Sequence, residues 1–80
     1  MKLETARRRA ELKALDYGRY AIAKETQTED AWVFSLGDPS GKCVTANLPM
    51  FVFDKEGDGT RDVYLPSREG FAILKDERPV

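Results

Sequence analysis

Four consecutive large apolar residues, Met50-Phe51-Val52-Phe53, constrain the fold more than any other part of this sequence. Neighbouring side chains of a β-strand point to opposite faces of the sheet, so a strand of this composition buries both faces. The run therefore predicts a central strand, ending at Asp54, that other parts of the chain cover on both sides. Pro49 stands directly before it, where a missing N–H does least harm to a sheet.

The chain has to build this core without covalent or metal staples. It has 80 residues, a single cysteine (Cys43) and no histidine. One cysteine cannot form an internal disulfide, and without histidine the usual zinc ligand sets are missing. We interpret Cys43 as an inert small side chain, because no histidine is present to take its proton. We expect one domain over residues 1–80, with no cofactor and no enzyme activity.

The first part of the chain predicts a helix over Leu3–Asp16, because its residues are almost all strong helix formers. Gly18 is the expected C-terminal cap. One stripe of this helix is small and apolar and is expected to lie close to a sheet. Its members are Leu3, Ala6, Ala10, Ala14 and Tyr17.

After Gly18 the apolar period changes from about 3.6 residues to about 2. This alternation predicts strands over 19–24 and 31–36, separated by a polar loop over 25–30. The segment 42–49 is ambiguous. Trp32, Phe34 and Leu36 are expected on one face of the second strand, and Tyr20 and Ile22 on one face of the first.

The remaining signals predict a hairpin and a short final element. Asp58-Gly59 is a strong turn signal, expected to join the central strand to a strand over 63–65. The segment 67–75 is a helix or a strand, with Ser67 available as a helix cap. The fold class is therefore α+β, with an N-terminal helix on an antiparallel sheet of about four strands and a short C-terminal element. The residues expected to form the core are Ile22, Trp32, Phe34, Phe51 and Phe53.

Charge is divided unevenly along the chain, although the net charge is −1. Residues 1–24 carry seven basic and three acidic side chains, whereas residues 25–80 carry six basic and eleven acidic ones. Arg7, Arg8 and Arg9 point in directions about 100° apart on a helix and cannot form one phosphate-binding patch unaided. The sequence pI of about 5.4 also argues against a dedicated nucleic-acid binder.

The segment from Asp54 onward matches part of a calcium-loop pattern. Oxygen-bearing residues and a glycine stand at the expected places, but Leu65 occupies the position of the bidentate glutamate, and the flanks predict strands instead of helices. The matching residues are Asp54, Glu56, Asp58, Gly59 and Asp62. We interpret the segment as a solvated hairpin and expect no metal site.

Two short motifs are more specific than the general pattern. Trp32-Val33-Phe34 forms a W-x-F element, and Asn47-Leu48-Pro49 leads into the apolar strand that ends in Asp54-Lys55. Together with the N-terminal helix they resemble the bacterial immunity protein 35 family, also called YrhB-like. The resemblance implies a non-enzymatic antidote to a cognate bacterial toxin, including toxins of papain-like fold, that plugs or masks the toxin surface.

These observations favour a small cytoplasmic protein-binding domain, a monomer or weak dimer. No apolar run has the length of a membrane span, and the charged run Met1–Arg9 has no apolar stretch behind it. An acidic hairpin can steer a protein onto a basic partner. The alternatives are a chaperone-like or structural interaction module and a nucleic-acid accessory domain. The expected docking residues are Asp54, Asp58, Arg61 and Asp62.

Overall fold

Two helices and one five-stranded sheet make up the part of the chain that the computed structural model describes, which is residues 1–38, 40 and 48–80. The elements are α1 (Leu3–Gly18), β1 (Ala21–Gln27), β2 (Ala31–Gly37), β3 (Met50–Asp54), β4 (Thr60–Val63), α2 (Arg68–Asp76) and β5 (Arg78–Pro79). The sheet is antiparallel throughout, in the order β4-β3-β2-β1-β5. The α+β prediction is confirmed, with one strand more than expected. Cys43, Asn47 and most of the ambiguous segment lie outside the described residues.

Strand β3 has the two-sided burial that its composition predicts. Phe51 and Phe53 pack beneath α1, where the Phe53 ring meets the Phe34 ring edge to face at 5.6 Å. Met50 and Val52 point to the opposite face, in a second cluster that contains one residue of α2, Ile73. The sheet is therefore the middle layer, with one helix on each side.

The five residues expected in the core occupy two different environments. Phe34, Phe51 and Phe53 are buried, whereas Ile22 and Trp32 are partly exposed and pack against the margin of the α1 cluster. The Trp32 indole Nε1 donates a hydrogen bond to the carbonyl oxygen of Met1 at 2.9 Å. Trp32 therefore joins the N-terminal segment to the sheet, and part of its surface stays in water.

Helix α1 lies on the sheet through its alanines. Ala6, Ala10 and Ala14 are fully buried, so the backbone of the helix approaches the strands closely. The predicted end of this helix is wrong by two residues, because α1 continues to Gly18. The prediction of Gly18 as the cap is also wrong. Arg19, at φ 64°, is the left-handed capping residue, and its N–H donates to the carbonyl oxygen of Leu15 at 3.2 Å.

Strand β1 begins and ends later than predicted, since it covers Ala21–Gln27 and includes half of the expected polar loop. Its polar side chains have partners on other elements. The Glu25 carboxylate accepts from Arg7 of α1 at 2.8 Å, and the Thr26 hydroxyl donates to Glu77 at 3.1 Å. These long-range contacts, which local polarity does not reveal, explain why a polar segment forms a strand.

The β3–β4 hairpin turns at a different place from the predicted Asp58-Gly59. The Asp54 N–H donates to the carbonyl oxygen of Gly59 at 2.8 Å, so the loop is 55–58, and the positive φ of 79° belongs to Gly57. Gly59 has another role, because a Cβ atom there would lie 2.0 Å from Asp54 Oδ2. Consequently β4 covers Thr60–Val63, and the prediction of a strand over 63–65 is wrong.

The C-terminal segment, which the sequence left open between helix and strand, is the helix α2. Its predicted cap is confirmed, since the Ser67 hydroxyl oxygen accepts from the Gly70 N–H at 2.9 Å. The short strand β5 follows α2 and pairs with the end of β1, opposite Thr26 and Gln27. The sequence does not predict β5, because a strand of two residues that includes Pro79 is too short to show alternation.

We expect Phe51→Ala to lower the free energy of unfolding by about 3–5 kcal/mol, since it removes a fully buried ring from the α1 side of β3. The matched control is Phe71→Ala on α2, where the ring is 59% exposed, and we expect it to change stability by no more than about 0.5 kcal/mol. Urea denaturation followed by tryptophan fluorescence measures both. Equal losses would contradict the assignment of Phe51 to the core.

We expect Ala10→Leu to destabilise the protein by about 1–3 kcal/mol, because Ala10 has no exposed surface and a larger side chain would push α1 off the sheet. Ala72→Leu makes the same exchange at an exposed position of α2 and should stay within about 0.5 kcal/mol of the parent. Thermal melts of the two variants provide the comparison. A stabilised Ala10→Leu variant would show that α1 is not closely packed.

Candidate protein-binding surface

The structure separates the four residues expected to form a docking surface. Arg61 and Asp62 are neighbours in β4, so their side chains project from opposite faces of the sheet. Asp62 faces α1, where it forms an ion pair with Lys13. Asp54 lies with Arg61 on the α2 side, while Asp58 is exposed in the hairpin loop and has no hydrogen-bond or ion-pair partner among the described residues. The predicted four-residue surface is therefore divided, and only Asp54 and Arg61 share a face.

Arg61 connects three elements on the α2 side. Its Nη1 lies 3.0 Å from Asp54 Oδ1 at the end of β3, and its Nε lies 2.6 Å from Glu69 Oε2 in the first turn of α2. The hydrogen bond to Glu69, and after it the one to Asp54, raise the pKa of Arg61 above its ordinary value. These ion pairs are partly exposed, so they orient the three elements more than they stabilise the fold.

A groove of about 560 Å³ opens beside this arginine, between α2 and the β1–β2 turn. An adjoining hollow of about 400 Å³ shares Glu29 and Asp30 with it and continues to the β3–β4 hairpin. We call the two together the acidic groove. Its carboxylates are Glu29, Asp30, Asp54, Glu56, Glu69 and Asp76, and its cations are Lys55, Arg61 and Arg78.

Four of the six carboxylates in the acidic groove have no cationic partner. Arg61 binds Asp54 and Glu69, but no described residue forms a hydrogen bond or ion pair with the side chains of the other four. Lys55 does not neutralise them, because its ammonium donates to Gln27 Oε1 at 2.8 Å and lies 4.4 Å from the centre of the Trp32 ring. The unpaired carboxylates are those of Glu29, Asp30, Glu56 and Asp76. Arg78, which lines the groove without an ion pair to another described residue, is one positive charge against four unpaired negative ones, so the groove presents net negative charge to solvent.

Most of this groove has no signal in the sequence. Glu29 and Asp30 lie in the predicted polar loop, Glu69 lies in the segment 67–75 that is compatible with helix or strand, and Asp76 follows that segment. Only the crossing of α2 over the sheet brings these distant positions together. Helical periodicity in residues 67–76, with Ser67 as the cap, is the signal that could have placed Glu69 and Asp76 on one side of a helix.

The other candidate patterns are divided as well. Arg7 Nε lies 2.8 Å from Oε1 of Glu25 in β1, whereas Arg8 and Arg9 are exposed. The three arginines therefore do not form one patch. The calcium-loop residues do not converge, since Asp54 and Asp62 lie on opposite faces of the sheet. Across residues 1–38, 40 and 48–80, no three carboxylate or thiol side chains are placed to hold a metal ion together.

A hydrogen-bonded pair of tyrosines lies on the α1 side of β4. The hydroxyl groups of Tyr17 and Tyr64 are 2.8 Å apart, and the Tyr17 ring meets Phe51 edge to face at 5.7 Å. The bond to Tyr64, and to a smaller extent desolvation and the charge of Asp62, raise the pKa of Tyr17 to about 12. Separated by 47 positions, these tyrosines carried no sequence signal of a pair.

Comparison of the chain with protein-family models, with curated proteins and with solved structures found no match in any of the three. Neither α1 nor α2, the two helices of the described ranges, combines the length and the apolar character that crossing a bilayer requires.

We expect Tyr64→Phe to lower the pKa of Tyr17 from about 12 toward the ordinary tyrosine value, because the principal cause of the shift is the hydrogen bond to Tyr64. Since the folded-state pKa is raised, the stability linked to this group is complete below about pH 10 and is lost as the pH rises toward 12. Ultraviolet titration of the phenolate measures the shift, with Tyr20→Phe as the control. An unchanged late titration in Tyr64→Phe would contradict the pairing.

Proposed function

We propose that this protein is a small non-catalytic protein-binding domain that covers a basic surface of a partner protein with its acidic groove. In this proposal it acts as immunity proteins do, by masking the functional surface of a cognate toxin. The observation that carries the proposal is the set of four unpaired carboxylates around a groove of about 560 Å³ and its adjoining hollow.

The construction of the groove supports binding by a preformed surface. One wall is α2, whose position relative to the hairpin is set by the contacts of Arg61 to Asp54 and Glu69. The other wall is the β1–β2 turn, closed by a hydrogen bond from the Thr28 N–H to the carbonyl oxygen of Ala31 at 2.9 Å. The backbone walls are therefore in place before binding, and the carboxylates they carry speed encounter with a basic partner.

The composition and the motifs support a non-catalytic role. The chain contains no histidine, so it has none of the nucleophile systems in which serine or cysteine transfers a proton to histidine. The W-x-F element, with Trp32 and Phe34, lies within β2. The second motif runs through β3, from Pro49 directly before the strand to Asp54 at its end and Lys55 directly after it. In this proposal these residues build the scaffold, and the groove beside them is the surface that selects the partner.

The test is the double charge reversal Glu29→Lys with Asp76→Lys, which changes two unpaired groove carboxylates without breaking an ion pair. The matched control is Glu11→Lys with Asp16→Lys, the same change of charge on the exposed face of α1. The partner is first captured from the native cell lysate and identified by mass spectrometry. We then expect the groove variant to bind it at least about tenfold more weakly, with the control within about twofold.

Salt and rescue experiments complete the test. Binding of the parent protein should weaken as salt rises, and that dependence should be smaller for the groove variant. If the partner arrests growth when expressed alone, the parent protein and the control should restore growth, and the groove variant should not. Equal affinities of the two variants would refute the groove as the docking surface. Retention of many unfolded proteins, or of RNA, would favour a chaperone-like module or a nucleic-acid accessory domain instead.

A further inference from the structure

Helix α2 has a wider apolar face than the sheet buries. Gly70 and Ile73 are its buried residues, at the contact with β2, β3 and β4. Phe71 and Leu74 continue the apolar face around the helix, but they are 59% and 41% exposed. Phe71 and Leu74 therefore form an apolar surface that the described part of the fold leaves exposed.

Leu65 extends this exposed surface beyond the helix. It precedes α2, is 41% exposed, and lies so close to the first turn that a Cβ atom on Gly70 would come within 2.6 Å of its Cδ2. Gly70 and Leu74 are one helical turn apart, so Leu65 and Leu74 lie on the same side of α2. We call Leu65, Phe71 and Leu74 the α2 patch. It lies away from the acidic groove, which Glu69 and Asp76 line on the other flank of the helix.

Two cations border the α2 patch. Arg68 and Lys75 stand three residues before and four residues after Phe71, so all three share one side of the helix. Both are exposed, and neither forms a hydrogen bond or an ion pair with another residue of the described part of the chain. The patch is therefore apolar with an unneutralised positive border, the reverse of the charge in the acidic groove.

This border disfavours a second copy of the chain as the occupant. An antiparallel pairing that places Phe71 of one helix over Leu74 of another brings Lys75 of the first within about one turn of Arg68 of the second. A parallel pairing places like residues opposite each other. Like charges at the edge of such a contact are destabilising, whereas carboxylates at the same places would be attracted.

We propose that the α2 patch docks an amphipathic helix of another protein whose apolar stripe is bordered by carboxylates. The α2 backbone already forms its internal hydrogen bonds, so the patch offers no free edge for an added strand. A docking segment has to satisfy its own backbone groups, as a helix does. This inference is independent of the acidic groove, because the two surfaces lie on different flanks of α2 and favour opposite charges.

The test uses two synthetic helical peptides of about 18 residues, long enough to hold helical structure. Both carry leucines at i, i+3, i+4 and i+7; one has glutamates on the flanks and the other has lysines at the same places. Amide chemical shifts of the labelled protein are followed during titration to about 1 mM peptide, a concentration that detects weak contacts. We expect the glutamate peptide to shift residues 65–76 and to bind at least about tenfold more tightly than the lysine peptide.

Three variants locate the contact. Phe71→Ser with Leu74→Ser should weaken binding of the glutamate peptide at least about tenfold. Leu12→Ser with Leu15→Ser is the matched control, since both leucines are 60% exposed on α1, and should leave the affinity unchanged. Arg68→Glu with Lys75→Glu should reverse the preference between the two peptides.

Several outcomes would overturn the proposal. These are equal affinity for both peptides, shifts confined to other elements, and no shifts at the highest concentration. Sedimentation of the protein alone provides a further check, because a dimer that Phe71→Ser with Leu74→Ser dissociates would assign the patch to a second copy. Because a basic peptide is also a ligand of the acidic groove in the first proposal, both affinities are taken from the amide shifts of Leu65, Phe71 and Leu74, so the two proposals fail separately.

Discussion

The two-sided burial of β3 is the constraint on which the rest of the structure depends. Phe51 and Phe53 require cover on one face of the sheet, and Met50 and Val52 require it on the other. Helix α1 supplies the first through its buried alanines, and α2 supplies the second mainly through Ile73. Because α2 has to cross the sheet to do this, its carboxylates arrive beside the β1–β2 turn, and its surplus apolar residues are left in solvent.

Charged side chains position the elements around this core instead of forming it. Arg61 connects β4, the end of β3 and α2, while Lys13 and Arg7 connect α1 to β4 and β1. Each pair is partly exposed, so its contribution to stability is modest. The pairs decide which carboxylates are neutralised and which remain available. In the acidic groove, four of the six carboxylates remain without such a pair among the described residues.

Much of the fold could be predicted from local patterns. Four signals each act over a few neighbouring residues. They are the run of helix-forming residues in α1, the alternation in β2, the apolar run of β3 and the Ser67 cap. The misplaced elements depend on distant partners. Glu25 and Thr26 lie in β1, where Arg7 and Glu77 meet them, and β5 forms where it pairs with Thr26 and Gln27.

The sequence by itself determined the α+β class and the need of β3 for cover on both faces of the sheet, because composition and periodicity express these directly. It also excluded catalysis that uses histidine. Only the tertiary structure decided which charges share a surface. It placed Arg61 and Asp62 on opposite faces, and brought Glu29 and Asp76 to one groove. The physical reason is that the pleat of a strand separates neighbours, whereas the packing of α2 joins residues far apart in the chain.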